Sequence, residues 1–200
     1  MLVSERRETK TFDYTVALLS EDNKAQTKGF ICGNHYPEAG LADYLENDAL
    51  VDIRNGNGVT YIIKDNSNNR LIGYYTLEAS SLPYFYRDEE DEDYEVLCGI
   101  PAVKINMFAI DSQYQDLFFE GKPISAWILE SIISEIYNMS VSGLGIKAIY
   151  LRPLPSAEKF YLKNGFTMDE GFFKPFASAD DDLHVMFMFI HHIDELDILK

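Results

Sequence analysis

The sequence has few cysteines and few cations for its length. Its 200 residues include two cysteines, Cys32 and Cys98, and 17 lysines and arginines against 33 aspartates and glutamates. The cysteines lie far apart and in no spacing typical of a metal site. We expect both to be small, buried apolar side chains in a reducing compartment, and a disulfide between them stays open as the alternative.

The shortage of cations leaves a net charge of −16. A surface this acidic repels phosphate backbones and anionic lipids, so we expect neither a nucleic-acid partner nor membrane binding. It attracts cations, which favours a cationic amine as substrate. Solubility is the simpler explanation of the same charge.

The chain also lacks long apolar runs. The segment Met1–Glu8 has no apolar stretch of the kind found in signal peptides, and no segment approaches eighteen apolar residues. We therefore expect a cytoplasmic protein. The length predicts a single domain over residues 1–200, and 46% apolar residues are enough for a core.

Apolar periodicity predicts alternating strands and helices. The predicted strands are Thr11–Leu19, Val59–Lys64, Leu71–Ala79, Val103–Ile110, Ile146–Leu151 and His184–Ile190. The predicted helices are Lys24–Cys32, Gly40–Arg54, Ile124–Met139 and a short one from Ala157. The segment Arg87–Glu95 holds seven acids, which predicts a solvated loop because like charges repel. A strand–helix–strand order in the C-terminal half requires at least one parallel strand pair.

The most informative segment is the short helix that follows Ile146–Leu151. Glu158 near its start and Lys163 near its end match the helix dipole, and Gly165 fits the left-handed residue that closes a helix. Phe160 and Tyr161 point about 100° apart, so one can enter the core while the other faces a cleft.

This helix, with Phe-Tyr inside it and Gly-Phe at its end, resembles the last helix of the GNAT family of N-acetyltransferases. The resemblance covers residues 11–190 and is strongest over Val103–Phe166. It implies an α/β (mixed α+β) fold, with a mostly antiparallel central sheet flanked by helices on both faces. It also implies acetyl-CoA as co-substrate and direct transfer of the acetyl group to a primary amine, on a small cationic molecule, a lysine or an N-terminus.

The resemblance assigns roles by position. Tyr161 would protonate the departing thiolate of coenzyme A, since a phenol with a pKa near 10 is protonated at neutral pH. Phe160 would contact the cofactor, and the backbone at Phe108 and Ile110 would bind the pantetheine arm. The alternative for Tyr161 is a core tyrosine with a bonded hydroxyl. Glu78 is the best-placed acid for a general base, with Glu95 as a second choice.

The predicted phosphate loop departs from the family pattern Gln/Arg-x-x-Gly-x-Gly/Ala. Asp111 and Tyr114-Gln115 match its start, but Phe118 stands where the first glycine is due. A bulkier loop cannot bring its backbone as close to phosphate. We expect a lengthened loop, because a helix N-terminus binds anions without glycines. The residues expected to hold the pyrophosphate are Gln115, Gly121, Lys122, Ile124, Ser125 and Ala126. Weak or lost cofactor binding is the alternative.

Two other functions stay open. One is a binding or regulatory module on the same fold, which would use Leu82–Tyr86 and the acidic loop. The other is a toxin-type acetyltransferase acting on charged tRNA, which the net charge disfavours. A homodimer is compatible with either. No metal site is expected, since adjacent strand residues such as His191 and His192 point to opposite faces.

Overall fold

The computed structural model describes residues 12–87, 95–173 and 183–191. The strands are β1 (Tyr14–Leu18), β2 (Val59–Asp65), β3 (Leu71–Arg87), β4 (Glu95–Ile110), β5 (Phe118–Phe119), β6 (Lys122–Pro123), β7 (Ala148–Leu151), β8 (Thr167–Met168) and β9 (Met186–Phe189). The α-helices are α1 (Glu38–Asn47), α2 (Ala49–Asn55), α3 (Ile124–Ser142) and α4 (Glu158–Lys163).

Seven strands form one sheet in the order β1-β2-β3-β4-β7-β9-β8. Every neighbouring pair is antiparallel except β4 and β7, which are parallel. The helix α3 connects this parallel pair, as the strand–helix–strand pattern requires. Strands β5 and β6 form a separate two-stranded hairpin before α3.

Helices cover both faces of the sheet. Adjacent strand residues point to opposite faces, and the neighbours Tyr74 and Tyr75 enter different core clusters. Tyr75 packs in the cluster that contains Ile128 and Leu129 of α3, whereas Tyr74 packs in the cluster that contains Leu45 of α1. The predicted fold class, a mostly antiparallel sheet between helices, is therefore confirmed. In the described part of the chain, no helix is long and apolar enough to cross a membrane.

Several predicted boundaries differ from the structure. The predicted helix Gly40–Arg54 is two helices in the structure. Asp48 lies between them, as the cap that follows α1 and precedes α2. The predicted helix Lys24–Cys32 is only a 3-10 turn over Lys24–Thr27. Both cysteines are free thiols and only partly buried.

The strands β3 and β4 are much longer than predicted. They pair from Gly73 and Ile110 to Arg87 and Glu95. The segment Leu82–Tyr86 and both ends of the predicted acidic loop therefore belong to one β-ribbon. Leu82 is buried against Phe173 and Val185, which come from remote parts of the chain. Of the predicted acidic loop, residues 88–94 lie outside the described part of the chain.

Candidate active site between strands β4 and β7

The two parallel strands separate after a short contact. They pair only over Ala102–Lys104 of β4 and residues 148–150 of β7. Two residues further along β4, the pairing with β3 shifts at Asn106, which is the extra residue of a β-bulge. A bulge bends its strand. At this bend β4 and β7 are separated by a gap. The β4 backbone groups that point toward β7 beyond it make no strand-to-strand hydrogen bond with another described strand.

A cavity of about 310 Å³ occupies this gap. It reaches through the sheet, because its walls belong to both core faces. Phe108 and Tyr161 pack with the α3 cluster, whereas Leu41 and Met107 pack with the α1 cluster. Two ligands could therefore meet in the gap from opposite faces of the sheet.

Tyr161 is the residue that the resemblance expects to donate the proton. It lines the cavity from α4 and is only 6% exposed. Its ring makes edge contacts with Phe160 and Phe166, with centroids 5.1 and 5.5 Å away, and its hydroxyl has no hydrogen-bond partner among the described residues. Burial, and then the nearby Cys32 thiol, raise the pKa of Tyr161 above its usual range. The phenol is therefore protonated throughout the physiological range.

Local geometry explains why Tyr161 is held there. The helix α4 closes at Gly165, which has a φ of +89°, and the N–H of Phe166 donates to the carbonyl of Tyr161 over 3.1 Å. Phe160 stacks on Phe108 of β4 with ring centroids 6.2 Å apart. The adjacent aromatics thus divide their roles, since Phe160 fastens α4 to β4 and Tyr161 lines the cavity.

The other predicted cofactor contacts on β4 differ in position. Phe108 lines the cavity, but Ile110 is buried and does not. The carbonyl of Ile110 accepts a hydrogen bond from Nε2 of Gln115 over 2.9 Å, and the same nitrogen reaches the carbonyl of Cys32. The Gln115 side chain thus connects the end of β4 to the segment before α1. Burial raises the pKa of Cys32 to about 11, so its thiol is not activated.

The last part of the expected phosphate loop, Phe118–Pro123, forms the β5–β6 hairpin. Glu120 and Gly121 have φ angles of +49° and +79°, the signs of a type I′ turn, which needs a positive φ at both central residues. Gly121 therefore serves a hairpin turn. No residue of 111–123 is among the described residues that line the cavity.

Contacts with α3 hold this hairpin in place. Lys122 pairs with Glu130 and lies 4.8 Å from the ring centroid of Trp127, whose Nε1 donates to the carbonyl of Phe119. The N–H of Ile124 donates to the carbonyl of Leu117 over 3.0 Å. Ser125 and Ala126 lie in the first helical turn, where N–H groups have no intrahelical partner.

None of the predicted acids and histidines is among the described residues that line the cavity. Oε2 of Glu78 is 3.7 Å from Nζ of Lys104, its cross-strand neighbour, and Glu95 is at the far end of the ribbon. His184 contacts Glu158 through Nδ1 at 2.7 Å, and Nε2 of His191 contacts Ser140.

The polar residues that line the cavity and that sequence reasoning missed include Tyr36, Asn106 and Arg152. Asn106 had a signal, since it is a polar residue within an apolar strand. Arg152 directly follows β7, at the carboxyl end of a parallel strand. Tyr36 lies in a loop remote in sequence, and nothing in the sequence connects it with β4.

No protein-family model and no curated protein sequence matches the chain. Solved structures do match it. A Tyr→Phe mutant of KacT is 18% identical, with a TM-score of 0.62 over 88% of this chain and 94% of that one. AtaTR bound with acetyl-CoA is 22% identical, with a TM-score of 0.64 over 88% and 94%. AtaT complexed with acetyl-methionyl-tRNA is 21% identical, with a TM-score of 0.62 over 88% and 95%.

These neighbours overturn one expectation. The net charge led us to exclude nucleic acid as a partner, yet structures of the same fold contain tRNA, in the AtaT complex, and DNA, in the KacTA complex. Net charge is a property of the whole surface, whereas binding depends on the site. The chain therefore has the fold of the AtaT toxin and of KacT, a mixed sheet between helices as its sequence predicted.

Proposed function

We propose that the chain is an acetyl-CoA-dependent N-acetyltransferase whose acceptor is the α-amine of an aminoacyl-tRNA. The cavity between β4 and β7, lined by the buried and neutral Tyr161, carries this proposal. The AtaT structures with acetyl-CoA and with acetyl-methionyl-tRNA support it, because both ligands belong to this reaction.

The charge of the cavity favours this acceptor over a polyamine. Among the described residues that line it, the charged side chain is the cation Arg152. A polyamine needs carboxylates around it, whereas an aminoacyl-tRNA presents one amine on an anionic carrier.

The reaction needs no nucleophilic side chain. The amine attacks the thioester carbonyl carbon, a C–N bond forms, and the C–S bond breaks. The hydroxyl of Tyr161 gives its proton to the departing sulfur. The amine loses its proton to water, and the phenolate of Tyr161 takes a proton back from water. Holding the two reactants in one gap supplies most of the rate. Enclosure disfavours the charged thiolate, so the pKa of the coenzyme A thiol rises in the gap. A neutral phenol can therefore protonate the departing sulfur.

We expect acetyl-CoA to bind more weakly here than to a phosphate loop with the glycines of the family pattern. The N–H of Ile124 is already engaged, so the pyrophosphate is left with Ser125, Ala126 and the helix dipole of α3. Gly121, Lys122 and Gln115 remain predicted contacts, although their present partners are within the protein.

If the chain were instead a binding module, we would expect the predicted phosphate loop to fill the cavity between β4 and β7. The described lining of the cavity contains no residue of 111–123, which favours the enzyme.

The test is transfer of radiolabelled acetyl from acetyl-CoA to a pool of aminoacyl-tRNAs, beside spermidine and a lysine peptide. We expect label in the tRNA fraction that is released with the amino acid on mild alkaline hydrolysis. Tyr161→Phe is the matched variant and should lose most of the transfer. Label in spermidine or the peptide alone would reject the proposed acceptor, and label in no fraction would reject the enzyme.

A further inference from the structure

One aromatic side chain at the cavity is far more exposed than any other in the described chain. Tyr36 is 87% exposed, and the next large apolar side chain, Phe118, is 65% exposed. Tyr36 nevertheless lines the cavity between β4 and β7. An aromatic ring left in water beside a binding cavity is positioned to contact what binds there.

The backbone that carries this ring is fixed. The N–H of Ala39 donates to the carbonyl of His35 over 2.9 Å, and the N–H of Gly40 donates to the carbonyl of Pro37 over 3.0 Å. Gly40 lies beside the ring, since a Cβ placed on it would be 3.7 Å from Cε2 of Tyr36. The ring is therefore supported along one edge, and most of its surface is free.

The position of Tyr36 separates it from the predicted cofactor phosphates. It precedes α1, which packs on the sheet face opposite to α3, and the pyrophosphate is expected at the start of α3. Because the cavity passes through the sheet, a ligand that contacts Tyr36 approaches from the α1 face. In the proposed reaction that ligand is the acceptor.

The charge of the cavity limits how this acceptor can be bound there. Arg152 is the one charged side chain in its described lining, so few phosphate contacts are available beside Tyr36. Stacking of a base on an aromatic ring does not depend on phosphate charge, and single-stranded nucleic acids are commonly bound in this way.

We infer that Tyr36 stacks on the 3′-terminal base of the aminoacyl-tRNA and thereby positions the adjoining aminoacyl amine at the thioester. This inference rests on the proposed function and adds a specificity-determining residue to it. It predicts that a phosphate-free acceptor, an adenosine carrying the amino acid on its ribose, is also acetylated.

The experiment compares Tyr36→Ala and Tyr36→Phe with the wild type in steady-state kinetics. Tyr36→Ala should raise KM for aminoacyl-tRNA and for aminoacyl-adenosine about tenfold or more. Tyr36→Phe keeps the ring and should stay within about twofold of the wild type for both. KM for acetyl-CoA should not change, which excludes the adenine of the cofactor as the stacked base. Tyr137→Ala, which removes a partly exposed ring from α3 outside the cavity lining, is the control and should have no effect.

Each other outcome decides against the inference. An unchanged acceptor KM in Tyr36→Ala, or an equal loss in Tyr36→Phe, would overturn it while the proposed function stands. A rise in KM for acetyl-CoA instead would assign Tyr36 to the cofactor. If the wild type acetylates no aminoacyl-tRNA, both proposals fall together.

Discussion

The helix α4 and the β5–β6 hairpin come from two segments that the sequence assigned to the same site, and they differ in how they depend on the rest of the chain. In α4, Phe160 and Tyr161 lie where a short local pattern places them, beside β4 and beside the cavity. In the hairpin, Gly121 forms a tight turn and Lys122 binds Glu130 and Trp127. The helix therefore places Tyr161 at the cavity, whereas the hairpin makes its contacts within the protein.

This difference teaches that the proposed reaction makes separate demands on the two segments. A direct transfer needs one proton donor and good alignment, for which we propose Tyr161 and the gap between β4 and β7. Pyrophosphate binding needs several backbone N–H groups, and the carbonyl of Leu117 engages the N–H of Ile124. We expect a normal chemical step combined with weak acetyl-CoA binding.

The largest expected effect is the loss of the proton donor. Tyr161→Phe should lower kcat about 100- to 10,000-fold, the range typical of general acid catalysis, with KM for acetyl-CoA unchanged. Stability should change little, because the hydroxyl has no partner among the described residues. Kinetics and thermal denaturation check this, with Tyr137→Phe as control. A kcat within about threefold of the wild type would remove Tyr161 from the mechanism.

The next largest effect is expected for a substitution in the turn of the β5–β6 hairpin. Gly121→Ala puts a Cβ on a residue with a φ of +79° in open space, so the cost is backbone strain of about 1–2 kcal/mol. We expect a lower free energy of unfolding and a several-fold higher Kd for acetyl-CoA, since the hairpin positions the start of α3. Calorimetry and urea denaturation measure the two quantities.

Gly145→Ala is the matched control for the hairpin variant. A Cβ at Gly145 also meets nothing within 4 Å, and its φ lies outside the left-handed region. It should change neither stability nor affinity. Unchanged acetyl-CoA binding in Gly121→Ala would separate the hairpin from the cofactor site.

The pH dependence tests the state of Tyr161. Its pKa is raised by burial, so the phenol stays protonated as pH rises, and it remains a competent acid. The acceptor must lose a proton before it attacks, and an α-amine titrates near pH 8. We therefore expect kcat/KM to rise from pH 6 toward a plateau, with no descending limb below pH 9. A fall in rate between pH 7 and 9 would contradict this assignment.

The smallest effect is expected at the predicted base. Glu78 is paired with Lys104 and does not line the cavity, so Glu78→Gln should lower kcat less than about threefold. Lys104→Met breaks the same pair from the other side and should behave alike. A loss of 100-fold in Glu78→Gln alone would restore Glu78 as the general base.

The parts predicted well from sequence are those with local causes. The periodicity of α3 and the closing glycine of α4 depend on neighbouring residues, and both helices lie where they were predicted. The parallel pair β4–β7 followed from the strand–helix–strand order. By contrast, Ser80, Ser81 and Pro83 look like the end of a strand, yet β3 continues through them. Leu82 packs against Phe173 and Val185, and no local pattern reveals such remote partners.

The sequence by itself determined the positions of the main strands, of α3 and α4 and of the candidate proton donor, because helix periodicity, capping and strand alternation are properties of adjacent residues. Only the tertiary structure decided what the site contains. The bulge at Asn106 and the early end of the β4–β7 pairing accompany the cavity, and chain segments far apart in sequence bring Tyr36 and Arg152 to it. Net charge, a sum over all residues, could not reveal the charge of one cavity, since that depends on which few side chains the fold brings together.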